Sequence, residues 1–403
     1  MRILVLNQYF HPDASATSQL LTQLVEDLAE DHDITVVSGR PSYNRQSAGR
    51  TGLQRLSTVV VRRVWSTTFS RRSMLGRLVN YLTFLVASLF PALASPRPDV
   101  IMVWTDPPPI AAVGALVSRL RRAPLVFVCQ DIVPESVVAA GELGNPLLTA
   151  ALRRARDAAI RRAVVVGSIG EDMTRRLASL GVPESKICLL RNWADGSNVH
   201  PTSASDTFRS EHNWTDRFVI MHSGNMGMAA ELDTLLDAVP LLTDLSDLKV
   251  ALVGDGINKR RLEDRVEREH IEAVEFLPLQ ASESLSASLG SADVHLVTHR
   301  IGMEGYQVPS KLYGILAAGK ACIALVQRDC DVARAVEEAG CGIVVAPGDA
   351  IALAAAIRDI RTMDRVSMGA RARMAFEELY DRPIAIAAYR QMLASIASSN
   401  WRV

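Results

Sequence analysis

The sequence predicts an α/β protein made of two doubly wound parallel-sheet domains in series, and three observations predict it. Short β-branched and apolar runs alternate with segments of helical period along the chain. These runs lack polar alternation, so they read as strands covered on both faces. The alternation stops at a polar stretch, 194–217 (ADGSNVHPTSASDTFRSEHNWTDR), and then restarts. Finally, 403 residues exceed what one core organises, which is about 250–300 residues. The expected division is a first domain over 1–195, a linker over 196–216, a second domain over 217–380 and a last helical segment over 381–403 that crosses back to the first domain.

In the first domain, RILVL (2–6) opens the sheet. A helix near 18–29 follows, with Leu20, Leu21, Leu24, Val25 and Leu28 on one face. ITVVS (34–38), VIMVW (100–104), LVFVC (125–129) and AVVVG (163–167) are the next strands, with helices near 110–121, 147–162 and 170–180. The second domain repeats the pattern with FVIMHS (218–223), KVALVG (249–254), VEFL (274–277), VHLVT (294–298), ACIAL (321–325) and GIVVA (342–346). Open sheets of this kind bind ligands outside the carboxyl ends of their strands, which places the expected site in the cleft between the domains.

The stretch Leu78–Pro96 holds 19 uncharged residues between Arg71, Arg72 and Arg77 on one side and Arg97 on the other. Asn80, Thr83, Ser88 and Pro91 make it a poor membrane span. Two readings stay open, a buried helix of the domain and a helix resting on a membrane surface with arginines at its edge.

Composition narrows the function. Apolar residues make up 48% and charged residues 22%, which excludes disordered, collagen-like and disulfide-scaffold classes. The 44 basic residues balance the 44 acidic ones, so the chain as a whole is no nucleic-acid binder by charge. Residues 1–200 carry 23 basic and 16 acidic residues, a net of +7, and the remainder carries −7. Ten arginines and no acidic residue lie between Asp33 and Asp99, which points to an anionic partner such as lipid headgroups or a phosphorylated substrate. The cysteines at 129, 188, 322, 330 and 341 show no paired short spacing and read as buried free thiols. MRILVLNQYFHPD turns polar too soon for a secretory signal. The expected location is the cytoplasm, with peripheral contact at the inner face of the plasma membrane if Leu78–Pro96 rests there.

Three segments can carry chemistry. HSGNMG (222–227) follows a strand and precedes a helix expected at Glu231–Val239, so Gly224 and Gly227 let amides approach an anion. VGDGINKRRLE (253–263) repeats the device, with Lys259, Arg260 and Arg261 at the helix start. GMEGYQVPSKLYGILAAGKACIAL (302–325) puts Glu304 in a glycine-flanked loop and Pro309 and Ser310 at a helix start. Ser310 either caps that helix or meets a phosphate. Lys311 stands in the first turn, where the helix dipole disfavours a cation; a bound anion explains it better than surface exposure does. Asp31, His32 and Asp33 have metal-ligand spacing but sit in a turn, as do Asp329 and Asp331, so no metal is expected. His11 and His222 end strands at the ligand edge and stay open between substrate contact and ordinary loop roles.

With YFHPD (9–13), TDPPP (105–109), CQDIVPES (129–136), RNWAD (191–195), HSGNMG, VGDG and VPSKLYGILAAGK (308–320) in this order, the chain resembles glycosyltransferase family 4. These are retaining nucleotide-sugar enzymes of GT-B architecture, two Rossmann-like domains. More closely it is similar to the bacterial cell-surface polysaccharide enzymes that carry an N-acetylamino sugar onto a polyprenyl-diphosphate acceptor. The resemblance implies a UDP-sugar donor held by the second domain and a lipid-linked saccharide acceptor held by the first, with no cofactor. The base would lie against FLPLQ (276–280), at Pro278 and Leu279. Ribose and diphosphate would meet Glu304, Ser310 and Lys311, and the phosphates would face Gly224, Asn225, Gly227, Gly254, Asp255 and Gly256. Asp13, Ser15 and Thr17, in the loop Phe10–Thr17, would face the acceptor with Gln130 and Asp131. Glu304, Asp131 and Lys311 would be catalytic.

The chain departs from the family at several positions. Of two glutamates often found eight positions apart, the second falls on Gly314 and the first on Tyr306. Glu304 replaces the first only if Gln307 and Val308 act as an insertion. Met228, Ala229 and Ala230 stand where a lysine is frequent, so the phosphate charge is assigned to Lys311, Arg260 or Arg261. Gln130 replaces a frequent histidine, and Ala14 and Ser15 replace common glycines. Asp131 either orients the acceptor or caps the helix after it. Retention by same-face attack needs no strong side-chain base. Two other classes stay open. A nucleotide-sugar 2-epimerase would turn over the donor alone, and a silent nucleotide-sugar-binding subunit of a membrane assembly would bind without turnover. Dinucleotide oxidation is disfavoured, since NQYFHPDASATS has no Gly-x-Gly-x-x-Gly.

Overall fold

A computed structural model describes residues 1–13, 15–41, 51–69, 74–141 and 143–398. The chain forms two compact units. The first takes in Met1–Arg191, Gly305–Gln307 and the chain from Ile386 onward, and the second takes in Asn192–Glu304 and Val308–Ala385.

The first unit runs β1 (Arg2–Leu6), α1 (Ala16–Leu28), β2 (Asp33–Ser38), β3 (Gly52–Leu56), β4 (Val59–Arg63), α2 (Met74–Leu93), β5 (Val100–Trp104), α3 (Ile110–Arg121), β6 (Leu125–Cys129), α4 (Glu135–Ala139), α5 (Pro146–Arg162), β7 (Val165–Ser168), α6 (Glu171–Ser179) and β8 (Ile187–Leu189). Its sheet order is β3-β4-β2-β1-β5-β6-β7-β8. Every pairing is parallel except β3 with β4. That antiparallel edge was not expected, because its residues lie in the arginine-rich stretch that read only as a charged surface. Local signals set the helix ends. The Ser15 hydroxyl caps α1 by accepting from Ser18 N (3.2 Å), and Asn145 caps α5 ahead of Pro146.

The second unit runs α7 (Ala204–Glu211), β9 (Phe218–Ser223), α8 (Asp233–Ala238), β10 (Leu248–Val253), α9 (Lys259–Arg268), β11 (Val274–Leu277), α10 (Leu285–Gly290), β12 (Val294–Thr298), α11 (Lys311–Ala317), β13 (Ala321–Leu325), α12 (Asp331–Ala339), β14 (Gly342–Val345), α13 (Ala350–Thr362), α14 (Arg365–Leu379) and the start of α15 (Arg382–Ser398). Its parallel sheet has the order β11-β10-β9-β12-β13-β14. Strands β9, β10, β12 and β13 are almost wholly buried, as their unbroken apolar runs require.

Three expectations change. The stretch 196–216 is folded into the second unit rather than left as a linker: α7 lies in it, and Trp214 is buried beside Phe208. The helix expected at Glu231–Val239 starts later, at Asp233, and tightens to a 3-10 turn over Val239–Leu242 because Pro240 cannot donate to the α-helical ladder. Cys188 is half-buried, whereas the other four thiols are buried. In the first unit, the later part of α15 is tied to the end of α1, where Arg390 donates to the Asp27 carbonyl (2.9 Å) and pairs with Glu30 (2.9 Å).

Candidate functional site

In the second unit the chain leaves β9 for β10 and β11 on one side and returns to β12 on the other, so the topological switch lies between β9 and β12. A crevice opens there between oppositely running connections. Gly224 follows β9, and Ser310 and Lys311 lie in the connection after β12. Gly254 follows β10, and Pro278 and Leu279 follow β11.

Two glycines let these loops converge. Gly254 has φ +135°, and a Cβ there would sit 2.1 Å from the Gly224 carbonyl oxygen. Gly224 has φ +128°, and a Cβ there would come within 2.9 Å of Lys311 Cε. No other residue type tolerates both the backbone conformation and the contact. Backbone bonds lock the junction: Gly224 N donates to Val253 O (2.8 Å), Met226 N to Asp255 O (2.8 Å), and Gly254 N to Leu277 O (3.0 Å). Asn258 Nδ2 donates to Gly227 O (3.1 Å), while the Asp255 carboxylate accepts from Gly256 N (2.8 Å). Pro278 O accepts from Gln280 Nε2 (2.9 Å), and Leu279 is exposed.

Lys259 Nζ donates to Gly254 O (3.0 Å) from the start of α9, and across the junction stands Lys311. Its Nζ donates to Asn225 O (3.1 Å). Burial lowers its pKa to about 8. Beneath it lies His222, fully buried near the end of β9. Burial, and then the charge of Lys311, keep that imidazole neutral. His222 is therefore a buried wall of the site rather than a loop residue. Ser310 precedes α11 but makes no capping bond and is exposed, so its hydroxyl is open to a ligand.

The other two expected cations fare differently. Arg261 holds Asp233 through two bonds (2.8 and 2.7 Å), which neutralises it and clamps α9 to α8. Arg260 is exposed and makes no ion pair among the described residues. The helix dipole expected behind Gly227 is also displaced, since α8 begins at Asp233 with its own carboxylate in the first turn. Loop residues 224–227 and Lys311, not that helix start, line the switch point. Glu304 Oε2 accepts from Gly302 N (2.8 Å) and so stiffens its own loop.

The first unit has its own switch between β1 and β5. Gln8 N donates to Asp106 O (2.8 Å), tying the loops after these strands together. Asp13 is buried in the loop after β1. Ala14 lies outside the described residues, Ser15 is engaged as the α1 cap, and Thr17 is half-buried. The Thr105 hydroxyl accepts from Gln130 N (3.1 Å) and Asp131 N (3.3 Å), which positions both residues after β6. Burial, and then the nearby Asp106, raise the Asp131 carboxyl to about 7. Asp131 does not cap α4, whose N-cap is Pro134.

Arg63 was not singled out by the sequence pattern, yet it supports the loop after β1. It is buried at the end of β4, where Nη1 donates to Ser38 Oγ (3.1 Å) and Gly39 O (3.2 Å), and Nε to Gln54 Oε1 (3.0 Å). It also donates to the His11 carbonyl, so it holds the loop after β1 from below. Burial lowers its pKa and the charge of Asp13 opposes that shift. A charge pattern alone cannot separate this arginine from its surface neighbours. The discounted carboxylates are engaged elsewhere, Asp31 with Arg390 and Asp331 with Arg334.

Comparison with known proteins agrees with this fold. A glycosyl transferase 4-like domain matches residues 16–193, and a glycosyl transferases group 1 domain matches residues 217–362. The chain is 27% identical over 394 residues to an Escherichia coli (strain K12) protein assigned to colanic acid biosynthesis as glycosyl transferase WcaI, covering 92% of this chain and 95% of that one. It is also 27% identical over 311 residues to glycosyltransferase WbjE of Pseudomonas aeruginosa, covering 75% of this chain and 76% of that one. Among solved structures, Anabaena Alr3699/HepE in complex with UDP superimposes with a TM-score of 0.74 at 17% identity, over 99% of this chain and 100% of that one. The chain belongs to the family 4 glycosyltransferases of the GT-B fold.

Proposed function

We propose that the protein is a retaining glycosyltransferase that moves a hexose or N-acetylamino sugar from a UDP donor to a lipid-linked saccharide during cell-surface polysaccharide synthesis, working in the cytoplasm. The observation that carries this reading is the meeting of Gly224, Gly254 and Lys311 at the switch point of the second sheet. The name of one relative, assigned to colanic acid biosynthesis, supports a role in polysaccharide synthesis, and the UDP complex of HepE supports the nucleotide.

In this mechanism the bond between the sugar and the diphosphate loosens, leaving positive charge on the sugar and negative charge on UDP. The amides of Asn225 and Gly227, which the backbone bonds of the junction leave over, and the Lys311 ammonium receive the negative charge already oriented, so no reorganisation is needed at the moment of cleavage. The acceptor hydroxyl attacks from the face that UDP leaves, and its proton passes to the departing phosphate. Asp131 accepts a hydrogen bond from that hydroxyl and orients it, while Glu304 positions the donor sugar. The residues of the site supply this chemistry without a metal.

UDP should raise the thermal midpoint of the protein, because it binds the folded state alone. With a polyprenyl-diphosphate saccharide supplied, the protein should release UDP from its donor, and Lys311→Ala or Glu304→Ala should lower that turnover at least about tenfold, the scale of 1.4 kcal/mol. Donor turnover without acceptor would identify an epimerase. A thermal shift with UDP but no release would identify a silent binding subunit.

A further inference from the structure

The helix α2 is amphipathic in the wrong sense for a protein in water. Its buried stripe is Asn80, Phe84, Ser88 and Ala92, two of them polar. Its outward stripe is Leu75, Leu82, Val86 and Phe90, with Val86 76% and Phe90 79% exposed. A surface helix normally buries its apolar face and shows its polar one. The inversion is held in place by specific bonds. Asn80 Oδ1 accepts from Phe69 N (2.9 Å) and from the Thr67 hydroxyl (2.8 Å), and Asn80 Nδ2 donates to Phe69 O (2.9 Å). These bonds draw the segment before α2 alongside the helix, where Trp65 (54% exposed) and Phe69 (57% exposed) extend the apolar patch.

The helix Leu75–Leu93 is long and apolar enough to cross a membrane by length and composition. It packs against β1, β2 and α3 of its own unit, however, so it cannot span a bilayer while that unit is folded. At its far end Arg121 donates to Leu93 O (2.6 Å) and Ser95 O (2.8 Å), fixing α2 to α3. No acidic residue occurs from 34 to 98, while Arg77 lies in the first turns of the helix and the exposed Arg97 follows its end. Arg71 and Arg72 lie outside the described residues.

We propose that the outward face of α2, with Trp65 and Phe69, docks in plane on an anionic phospholipid bilayer, the apolar side chains entering the headgroup boundary and the arginines meeting lipid phosphates. Charge complementarity selects this occupant over a second copy of the chain, whose own patch would bring like charges together. The inference is independent of the glycosyl-transfer reading.

The test is sedimentation of the full-length protein with sucrose-loaded vesicles of phosphatidylcholine containing roughly a third phosphatidylglycerol. The wild type should sediment with them at low salt, and release as NaCl is raised to about 0.5 M. The double variant Val86→Glu/Phe90→Glu should lose at least about tenfold in partition coefficient. Both positions are exposed, so its thermal midpoint and its UDP response should match the wild type. Wild-type protein left in the supernatant, or a variant that sediments equally well, would overturn the proposal. So would a lipid-independent dimer that the variant dissociates, with no binding to vesicles.

Discussion

Replacing Lys311 by Met should make the empty protein more stable and unable to respond to UDP. Lys311 lies over the fully buried His222 and donates to Asn225 O, and it pairs with no carboxylate among the described residues. Its pKa is lowered from 10.5 to about 8 by burial. Holding its charge at neutral pH therefore costs the folded state about 3 kcal/mol relative to an ordinary lysine. The sign follows from linkage: between pH 8 and 10.5 the unfolded chain binds the proton that the folded chain has lost, so wild-type stability should rise with pH across that window. At pH 7 the variant avoids most of the cost, and its thermal midpoint should rise by about 5–10 °C. The bound diphosphate favours protonated Lys311, so wild-type affinity for UDP should fall about tenfold from pH 7 to pH 9. Calorimetric melts at both pH values, with and without UDP, measure all of this. A variant that is destabilised at pH 7 yet keeps the full UDP shift would refute the reasoning, because Lys311 would then be a structural residue.

Asp131→Asn should lower turnover by about a hundredfold and abolish the rise in kcat/KM through pH 7, since the carboxylate that orients the acceptor ionises only above its raised pKa of about 7; unchanged pH–rate profiles would count against it. Gly254→Ala should cost about 2–3 kcal/mol in denaturant unfolding and remove the UDP thermal shift, because its Cβ would sit 2.1 Å from the Gly224 carbonyl at φ +135°. Arg63→Met should destabilise the first unit by about 2–4 kcal/mol in urea titration, leaving the carbonyls of Gly39 and His11 without their buried donor.

Much of the architecture was legible because it rests on local pattern. Strands at 100–104, 125–129, 218–223, 274–277, 294–298 and 321–325 coincide with their apolar runs, since a strand buried on both faces must be apolar throughout. The hairpin β3–β4 was not legible, because Gly52–Leu56 alternates too weakly at an exposed edge and Val59–Arg63 ends in arginines. The segment 196–216 reads as polar, yet Arg209 donates to the carbonyls of Ser291 (2.6 Å) and Trp214 (3.0 Å) and so anchors it. Nothing local announces that long-range partner.

Gly224, Gly254 and Lys311, singled out by position after a strand and by the dipole argument, do come together at the second switch point. The neutralisation of Arg261 by Asp233 could not be read from the sequence, because the two residues are 28 positions apart and meet only when α8 and α9 pack. The burial of Arg63 and the inverted faces of α2 have the same origin. Sequence by itself determined most of the order of strands and helices and where glycines let loops approach one another, since these depend on neighbours along the chain. Tertiary structure alone decided which charges face that anion and which are buried or paired, because desolvation and ion pairing depend on what lies nearby in space.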